Sequence, residues 1–305
     1  MFLALGLDAW LGWPHRLYRR IGHPVTWIGA LIGWCDARWN RGDPAARRRA
    51  GIGTVVLVIA ASALPAVIIA GLLPAGHAGA LLTAILAWPF LAVRSLHDHV
   101  AAVADPLARG ETDAARAAVA MIVGRDPAQL EQAGIARAAI ESLAENTSDG
   151  VIAPLFWGVL LGLPGIVAYK AINTMDSMIG HRTLRHTDFG RAAARLDDVA
   201  NWVPARLTGA LFCLVAPAPR ATFTAMRRDA PHHRSPNAGW PEGAMAAALG
   251  VRLSGPRSYA GGISAEPWLN AGAPDPDGSD VQRALRLYRR AMVIAGGALL
   301  AVAWW

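Results

Sequence analysis

Residues 51–93 read GIGTVVLVIAASALPAVIIAGLLPAGHAGALLTAILAWPFLAV and contain no Asp, Glu, Lys or Arg. A membrane-spanning helix needs about 20 apolar residues, so this stretch is long enough for two. Two spans fit, Gly51–Leu73 and Ala78–Val93, and a tight turn at Pro74–His77 would join them. The stretch therefore predicts a transmembrane hairpin and argues against a pair of buried helices in a soluble protein.

The composition and the placement of charge agree with a membrane protein. Of the 305 residues, 54% are hydrophobic and 17% are charged, whereas soluble domains carry about 25% charged residues. The net charge of +7 would suit nucleic acid, anionic lipid or a phosphorylated substrate. Eight arginines, however, precede residue 51, among them Arg47, Arg48 and Arg49. Cytoplasmic flanks of spans are rich in Lys and Arg, so we place the N-terminus in the cytoplasm and expect no nucleic-acid partner.

The remaining sequence predicts helices of several kinds. Ala104–Val123 and Leu130–Leu143 have polar and apolar residues at helical spacing, which is typical of amphipathic helices in the cytoplasm or against the bilayer. Val151–Tyr169 is apolar but is interrupted by Gly162-Leu-Pro-Gly165. Since Pro removes a backbone donor, we expect the chain to turn back at this motif instead of making a single crossing of the membrane. Leu207–Pro219 is apolar but short for a span. The alternative is that Val151–Tyr169 crosses the membrane at a tilt and pairs with Leu207–Pro219.

The chain as a whole is predicted to be an all-α polytopic integral membrane protein with broken or re-entrant helices and amphipathic cytoplasmic helices. We expect a single membrane-embedded domain over residues 1–305, with the hairpin at 51–93 and a catalytic polar core at 137–206. A loop-rich cytoplasmic segment is expected at 220–290, and a terminal span at 291–305, which ends in two tryptophans.

Three carboxylates open the polar core. Glu141, Glu145 and Asp149 are spaced four residues apart, so on one helix they would share a face. A solvated helix could carry such a row, but this row leads directly into the apolar Val151–Trp157. Because Mg²⁺ prefers carboxylate and phosphate oxygens, the row indicates a magnesium site, with Glu145, Asp149 and the distant Asp198 as the predicted ligands.

Asn and Asp also recur three residues apart within the core. The pairs are Asn146 with Asp149, Asn173 with Asp176, and Asp198 with Asn201. One such pair is weak evidence, because Asn and Asp often cap helices. Three pairs, interleaved with cations that include Lys170, Arg195 and Arg206, favour a pocket that holds phosphates beside Mg²⁺.

These blocks carry a resemblance to a known family. The chain resembles the CobD/CbiB family, the adenosylcobinamide-phosphate synthases of cobalamin biosynthesis. The matching blocks are ESLAENTSDGVIAPLFW (141–157), NTMDSMIG (173–180), RLDDVANWVPAR (195–206), SPNAGWP (235–241), Gly255-Pro256 and, near the N-terminus, Leu7-Asp8, Gly12-Trp-Pro14 and His23-Pro24. The family usually has an acid where this chain has Trp13. The blocks run in order over nearly the whole chain.

The resemblance implies an amide-forming ligase that uses ATP as co-substrate and Mg²⁺. Such an enzyme joins adenosylcobyric acid, a corrinoid acid, to an amino-alcohol phosphate such as (R)-1-aminopropan-2-ol O-phosphate. It also implies an inner-membrane location, with a site that faces the cytoplasm, and possible contact with other membrane proteins of the pathway. The residues expected to take part as base or metal ligands are Glu141, Glu145, Asp149, Asp197 and Asp198. Those expected to bind substrate or phosphate are Asp8, Asn146, Lys170, Asn173, Asp176, Arg195, Asn201, Arg206 and Asn237.

Two other functions fit parts of the sequence. A transporter of corrinoids or small anions would explain buried charge in a membrane, but the chain has few uninterrupted spans and large polar regions. A magnesium-dependent membrane phosphotransferase or prenyltransferase would share the phosphate chemistry, but it should act on a lipid. ATP hydrolysis that requires both a corrinoid acid and an amine phosphate distinguishes the ligase from both.

Overall fold

The computed structural model describes residues 1–123, 127–259, 262–264 and 266–304. Within these residues the fold is helical, with four short strands near the C-terminus. The first seven helices are α1 Phe2–Leu11, α2 His15–Ile21, α3 Pro24–Trp39, α4 Pro44–Leu72, α5 His77–Ala87, α6 Val93–Ala108 and α7 Thr112–Val119. The others are α8 Gln132–Thr147, α9 Ala153–Ile179, α10 Arg191–Ala200, α11 Trp202–Val215, α12 Pro219–Asp229, α13 Gly239–Leu249 and α14 Gly278–Trp304.

In the part of the chain that the structure describes, four helical stretches are long and apolar enough to cross a membrane, judged by length and composition. They are Pro44–Leu72, His77–Ala108, Gln132–Ile179 and Gly278–Trp304. The second and third of these contain breaks in the helix. The chain is therefore an all-α polytopic membrane protein with broken helices, as predicted.

The predicted hairpin has its turn at the expected place, and its second arm lies within the candidate span His77–Ala108, but the helix of that arm is interrupted. Helix α4 begins after Asp43, whose side chain accepts a hydrogen bond from the Ala46 N–H at 2.7 Å, and it ends at Leu72; α5 begins at His77. The prediction of one helix over Ala78–Val93 was wrong, because α5 ends at Ala87 and a 3₁₀ turn, Trp88–Phe90, follows. Pro89 lies in that turn and cannot donate to a continuing helix.

Helix α9 is interrupted at Gly162, as the Gly-Leu-Pro-Gly motif predicted. Gly162 has φ 66° and ψ −151°, a conformation outside the helical region that glycine adopts readily. A Cβ built on Gly165 would lie 2.3 Å from the carbonyl oxygen of Trp157, although eight residues of straight helix span about 12 Å. Ala153 and Tyr169 also belong to one buried cluster. The two halves of α9 therefore fold back on each other.

The described chain groups into two compact units. The first consists of Met1–Ala92 and Ala153–Asn201, and the second of Val93–Ile152 and Trp202–Trp305. Nothing in this grouping tests the prediction of a single membrane-embedded domain, which stays a prediction.

In the first unit, α4 packs against α9, and α3 and α10 pack against both. The close approach depends on Gly51, since a Cβ there would lie 1.9 Å from the carbonyl oxygen of Phe189. Polar contacts hold the segment between α9 and α10 in place: Arg185 pairs with Asp36 at 2.7 Å, and Arg48 pairs with Asp188 at 2.7 Å. This packing fixes the end of α9 beside α10, where several candidate site residues lie.

In the second unit, α6, α8, α11 and α13 surround a core to which α14 also contributes. The buried Tyr288 hydroxyl of α14 donates to the carbonyl oxygen of Val93 at 2.9 Å. Two antiparallel pairs of short strands follow α13. Strand β1, Leu253–Ser254, pairs with β4, Trp268–Leu269, and β2, Arg257–Tyr259, pairs with β3, Gly262–Ser264.

Two predictions for the second unit were wrong, and the predicted terminal span lies within a longer helix that is itself a candidate span. The amphipathic helix expected over Ala104–Val123 is broken by a turn at Gly110, whose φ is +75°. The segment 220–290, predicted to be loop-rich, contains α12, α13 and the first half of α14. The terminal span expected at 291–305 corresponds to the second half of α14. The whole helix begins earlier, at Gly278, because Asp277 accepts hydrogen bonds from the N–H groups of its first turn. Trp305 lies outside the described residues.

Candidate functional site

The first unit brings a buried carboxylate and two amides together. Asp197 of α10 accepts hydrogen bonds from the Nδ2 groups of Asn201 at 2.9 Å and Asn173 at 3.4 Å. The hydroxyl of Tyr169 donates to Asn201 Oδ1 at 2.8 Å, which fixes the orientation of that amide. The sequence pairs Asn201 with Asp198, but in the structure Asn201 binds Asp197, since a four-residue spacing brings the two side chains together at the end of the helix.

Three acids make this region strongly negative. Asp197 is 8% exposed, Asp176 of α9 is half-buried and Asp198 is exposed. Burial, followed by the negative charge of Asp176, raises the pKa of Asp197 to about 7, although both amides oppose the shift. Burial also raises the pKa of Asp198, and the nearby Arg182 opposes that shift. Carboxylates held in this way bind either a proton or a cation.

The donor set suits Mg²⁺ that also binds a phosphate. Among the described residues, no three His, Cys, Asp or Glu side chains form a group that could hold a metal ion alone. Mg²⁺ in phosphate-handling sites is commonly held by one or two carboxylates, with waters and substrate oxygens as the other ligands. Asp197 and its neighbours Asp176 and Asp198 match that pattern in chemistry.

The other candidates of the first unit lie on three helices. Asp8 is buried on α1, Lys170 is half-buried on α9 and Arg195 is exposed on α10. Burial, and then the positive charge of Lys170, lower the pKa of His23 at the start of α3. The structure does not test whether Asp8, Lys170 or Arg195 binds substrate.

In the second unit, Arg206 of α11 is held between two indole rings. Its guanidinium carbon lies 4.2 Å from the ring centre of Trp202 and 4.6 Å from that of Trp240. Its Nη1 donates to the Trp202 carbonyl at 2.7 Å and to Asn237 Oδ1 at 3.4 Å. Burial lowers its pKa, but an arginine stays charged at neutral pH. This cation is held in a fixed position, as recognition of a planar or tetrahedral anion requires.

Asn237 is placed beside Arg206 by its own turn. The side chain is buried, and the Ser235 hydroxyl accepts hydrogen bonds from the backbone N–H groups of Asn237 at 3.2 Å and Ala238 at 3.1 Å. Such a Ser turn fixes the backbone just before α13. The pairing of Arg206 with Asn237 joins two residues that were singled out from separate sequence blocks.

The three acids of the predicted row, two of them on α8, lie in three different surroundings. Glu141 is buried, and its Oε1 accepts a hydrogen bond from the Ser254 N–H at 2.7 Å. Glu145 is exposed. Asp149 is half-buried and lies beyond the end of α8, in a π-helical turn that spans Ser148–Ile152. Asn146, also exposed, donates to the Ser142 carbonyl at 2.9 Å.

The predicted magnesium ligands fall in both units. Glu145 and Asp149 lie in the second, and Asp198 lies in the first. The prediction that these three residues share one ion stays a prediction.

Comparisons with known proteins identify the family. The family model described as "CobD/Cbib protein" matches residues 1–288. The chain belongs to the CobD/CbiB family. It is similar to a protein of Rhodobacter capsulatus named "Cobalamin biosynthesis protein CobD", with 58% identity over 100% of this chain and 97% of that protein.

Two further relatives of the same name extend the comparison. The protein of Brucella suis is 47% identical over 98% of this chain and 94% of its own length, and that of Rhizobium meliloti is 44% identical over 99% and 96%. No solved structure matches the chain. The chain is therefore a membrane protein of the CobD/CbiB family, and the resemblance read from its motifs is confirmed.

Sequence reasoning missed two polar residues of this CobD/CbiB chain, Tyr169 and Ser254. Tyr169 completes the Asp197 network, but a single Tyr beside Lys170 gives no sequence signal of its partner. Ser254 meets Glu141 across a separation of 113 residues, which no local spacing predicts. The nearest hint in the sequence was Gly255-Pro256, which directly follows Ser254, because a Gly-Pro pair marks a turn.

Proposed function

We propose that the protein is an adenosylcobinamide-phosphate synthase, an ATP-dependent ligase that forms an amide between adenosylcobyric acid and an amino-alcohol phosphate. The amine is (R)-1-aminopropan-2-ol O-phosphate or a close analogue. The observation that carries the proposal is Asp197, a buried carboxylate with a pKa raised to about 7 beside two further acids. A group of this kind can hold a proton or a cation near neutral pH.

The proposed reaction has two steps. A carboxylate oxygen of the corrinoid acid attacks the γ-phosphorus of ATP, the bond to the bridging oxygen breaks, and ADP leaves. The amine nitrogen then attacks the acyl carbon, inorganic phosphate leaves, and one proton of the amine passes to a base. Activation is needed because a free carboxylate and a free ammonium do not condense in water.

Each unit offers groups that fit one part of this chemistry. In the first unit, Asp197 is the proposed proton acceptor, because a base is most effective when its pKa lies near the working pH. Asp176 and Asp198 are the proposed ligands of Mg²⁺, which would neutralise phosphate oxygens during transfer. In the second unit, Arg206 is the proposed contact for a phosphate, and Asn237 orients its guanidinium.

We further propose that the protein lies in the bacterial inner membrane and that its site opens to the cytoplasm, where ATP is available. The arginines before α4 support this orientation. Association with other membrane proteins of the pathway would fit an enzyme that passes on a large corrinoid.

The test is a ligation assay with the full-length protein in detergent or nanodiscs. Adenosylcobyric acid, the amine phosphate and Mg-ATP are supplied together, and adenosylcobinamide phosphate and ADP are measured by chromatography with mass spectrometry. We expect both products in equal amounts over many turnovers, and sustained ADP release only when both other substrates are present. Sustained ADP release without adenosylcobyric acid, or transport of intact corrinoid into vesicles without ligation, would contradict the proposal.

A further inference from the structure

Ser254 has an unfavourable backbone conformation. Its φ is 61°, in the left-handed region that favours glycine, and the only other described non-glycine residue with positive φ is Asn270, at 56°. Asn enters this region more readily than other residues with a side chain, whereas Ser is disfavoured there. Replacing Ser254 with glycine would therefore stabilise the fold. The contacts around Ser254 hold its backbone in the unfavourable conformation.

Glu141 holds the backbone of Ser254 directly. Its carboxylate accepts the Ser254 N–H at 2.7 Å, and both residues are buried, with 6% and 1% exposure. A hydrogen bond from a buried N–H to a carboxylate is stronger than one between neutral groups. Loss of this acceptor would leave the N–H without compensation for its burial and would release the turn.

The next residue, Gly255, is also closely packed. A Cβ built on Gly255 would lie 2.5 Å from the ring of Trp268, so the backbone there rests directly on the indole. The guanidinium carbons of Arg137 and Arg252 lie 4.6 Å and 4.3 Å from the centre of the same ring. Asp275 pairs with both arginines.

The Ser254 hydroxyl adds a second unfavourable feature. Its oxygen is buried and has no hydrogen-bond partner among the described residues. An unsatisfied buried hydroxyl destabilises a fold, because its hydrogen bonds to water are lost and not replaced. Strain and an unsatisfied polar group at one residue, both removable by glycine, are typical of positions kept for function.

We infer that Glu141 is a positioning residue, which holds the Ser254–Gly255 turn in its strained conformation through the Ser254 N–H, and that it is neither the base nor a metal ligand of the reaction. The inference rests on the proposed function for its activity readout. It separates Glu141 from Asp149, which lies in the same sequence block and was expected to act with it.

The discriminating variant is Glu141→Gln, because the Gln oxygen can still accept the Ser254 N–H while the negative charge is gone. We expect it to keep ligase activity within about tenfold of the wild type, and Glu141→Ala, assayed at a temperature where it is folded, to lose at least about 100-fold. A Gln variant as stable as the wild type but as inactive as Glu141→Ala would overturn the inference. Full activity of Glu141→Ala would overturn it as well.

Thermal unfolding tests the contact without any assumption about the reaction. Glu141→Ala should lower the unfolding temperature of the full-length protein less in a Ser254→Gly background than in the wild type, because glycine needs no restraint to adopt the left-handed conformation. Asn270→Gly, at the other left-handed position, is the matched control and should leave the effect of Glu141→Ala unchanged. Equal effects in all three backgrounds would show that Glu141 does not act through Ser254. If the wild type lacks ligase activity, the proposed function fails, but this measurement still decides whether the two residues are coupled.

Discussion

Replacing Asp197 with Asn removes a negative charge that the folded protein holds in unfavourable surroundings. The pKa of Asp197 rises from 3.8 to about 7 on folding, and each pKa unit corresponds to about 1.4 kcal/mol. The charged carboxylate therefore destabilises the folded state by about 4 kcal/mol at pH 8. An Asn cannot accept from both amides in the same way, and losing the long Asn173 contact costs about 1 kcal/mol. The expected net stabilisation by Asp197→Asn is about 3 kcal/mol at pH 8.

The sign of the pH dependence follows from the raised pKa. Between about pH 4 and pH 7 the folded protein binds this proton more tightly than the unfolded chain, so wild-type stability falls as the pH rises through that window. Below the window both states are protonated, and the stabilising effect of Asp197→Asn disappears. At pH 5 we expect the variant to gain less than about 1 kcal/mol.

The measurement is thermal unfolding in detergent with EDTA at pH 5 and pH 8, paired with the ligation assay. The variant should unfold at a higher temperature than the wild type at pH 8 and at nearly the same temperature at pH 5, while its activity falls at least about 100-fold. Asp43→Asn, which keeps a good capping side chain at α4, is the control and should shift little at either pH. Equal stabilisation at both pH values, or destabilisation at pH 8, would refute the reasoning about buried charge.

Three other changes test separate parts of the structure. Asp149→Ala should abolish turnover and leave the protein folded and inserted, and wild-type activity would exclude Asp149 from the site. Arg206→Lys keeps the charge but loses the planar stack between two indoles, so the KM for the amine phosphate should rise about tenfold or more with a smaller change in kcat; an unchanged KM would remove Arg206 from phosphate binding. Gly76→Cys, in the turn of the predicted hairpin, should react with an impermeant thiol reagent in intact cells, and labelling only after lysis would reject the predicted orientation.

The parts of the fold that sequence reasoning predicted depend on local chemistry. The turn between α4 and α5 and the break at Gly162 both follow from Gly and Pro within apolar runs, since these residues act on the backbone where they stand. The second arm of the hairpin was predicted to be one unbroken helix because the apolar run continues through Pro89, and hydropathy does not register the missing donor. The first half of α14 was taken for loop because its residues are polar, although Asp277 marks its start.

The candidate site was harder to predict because its contacts are not local. The spacing of three residues suggested that the side chain of Asn201 pairs with that of Asp198. In the structure, α10 buries Asp197 and leaves Asp198 exposed. The burial of Glu141 depends on Ser254, which is far away in sequence. Residue types therefore predicted the chemistry of the region, whereas burial decides which carboxylate meets which partner.

Burial also separates the acids of the polar core by what each can do. A carboxylate that accepts a backbone N–H, as Glu141 does, is occupied by the fold, and its charge stabilises that contact. A carboxylate that is buried among amides and beside another acid, as Asp197 is, remains poorly compensated. Only the second kind gains strongly from a proton or a divalent cation, because only there does binding relieve an existing penalty. Mg²⁺ should therefore raise the unfolding temperature of the wild type at pH 8, and it should do so much less in Asp197→Asn, where that penalty is already gone.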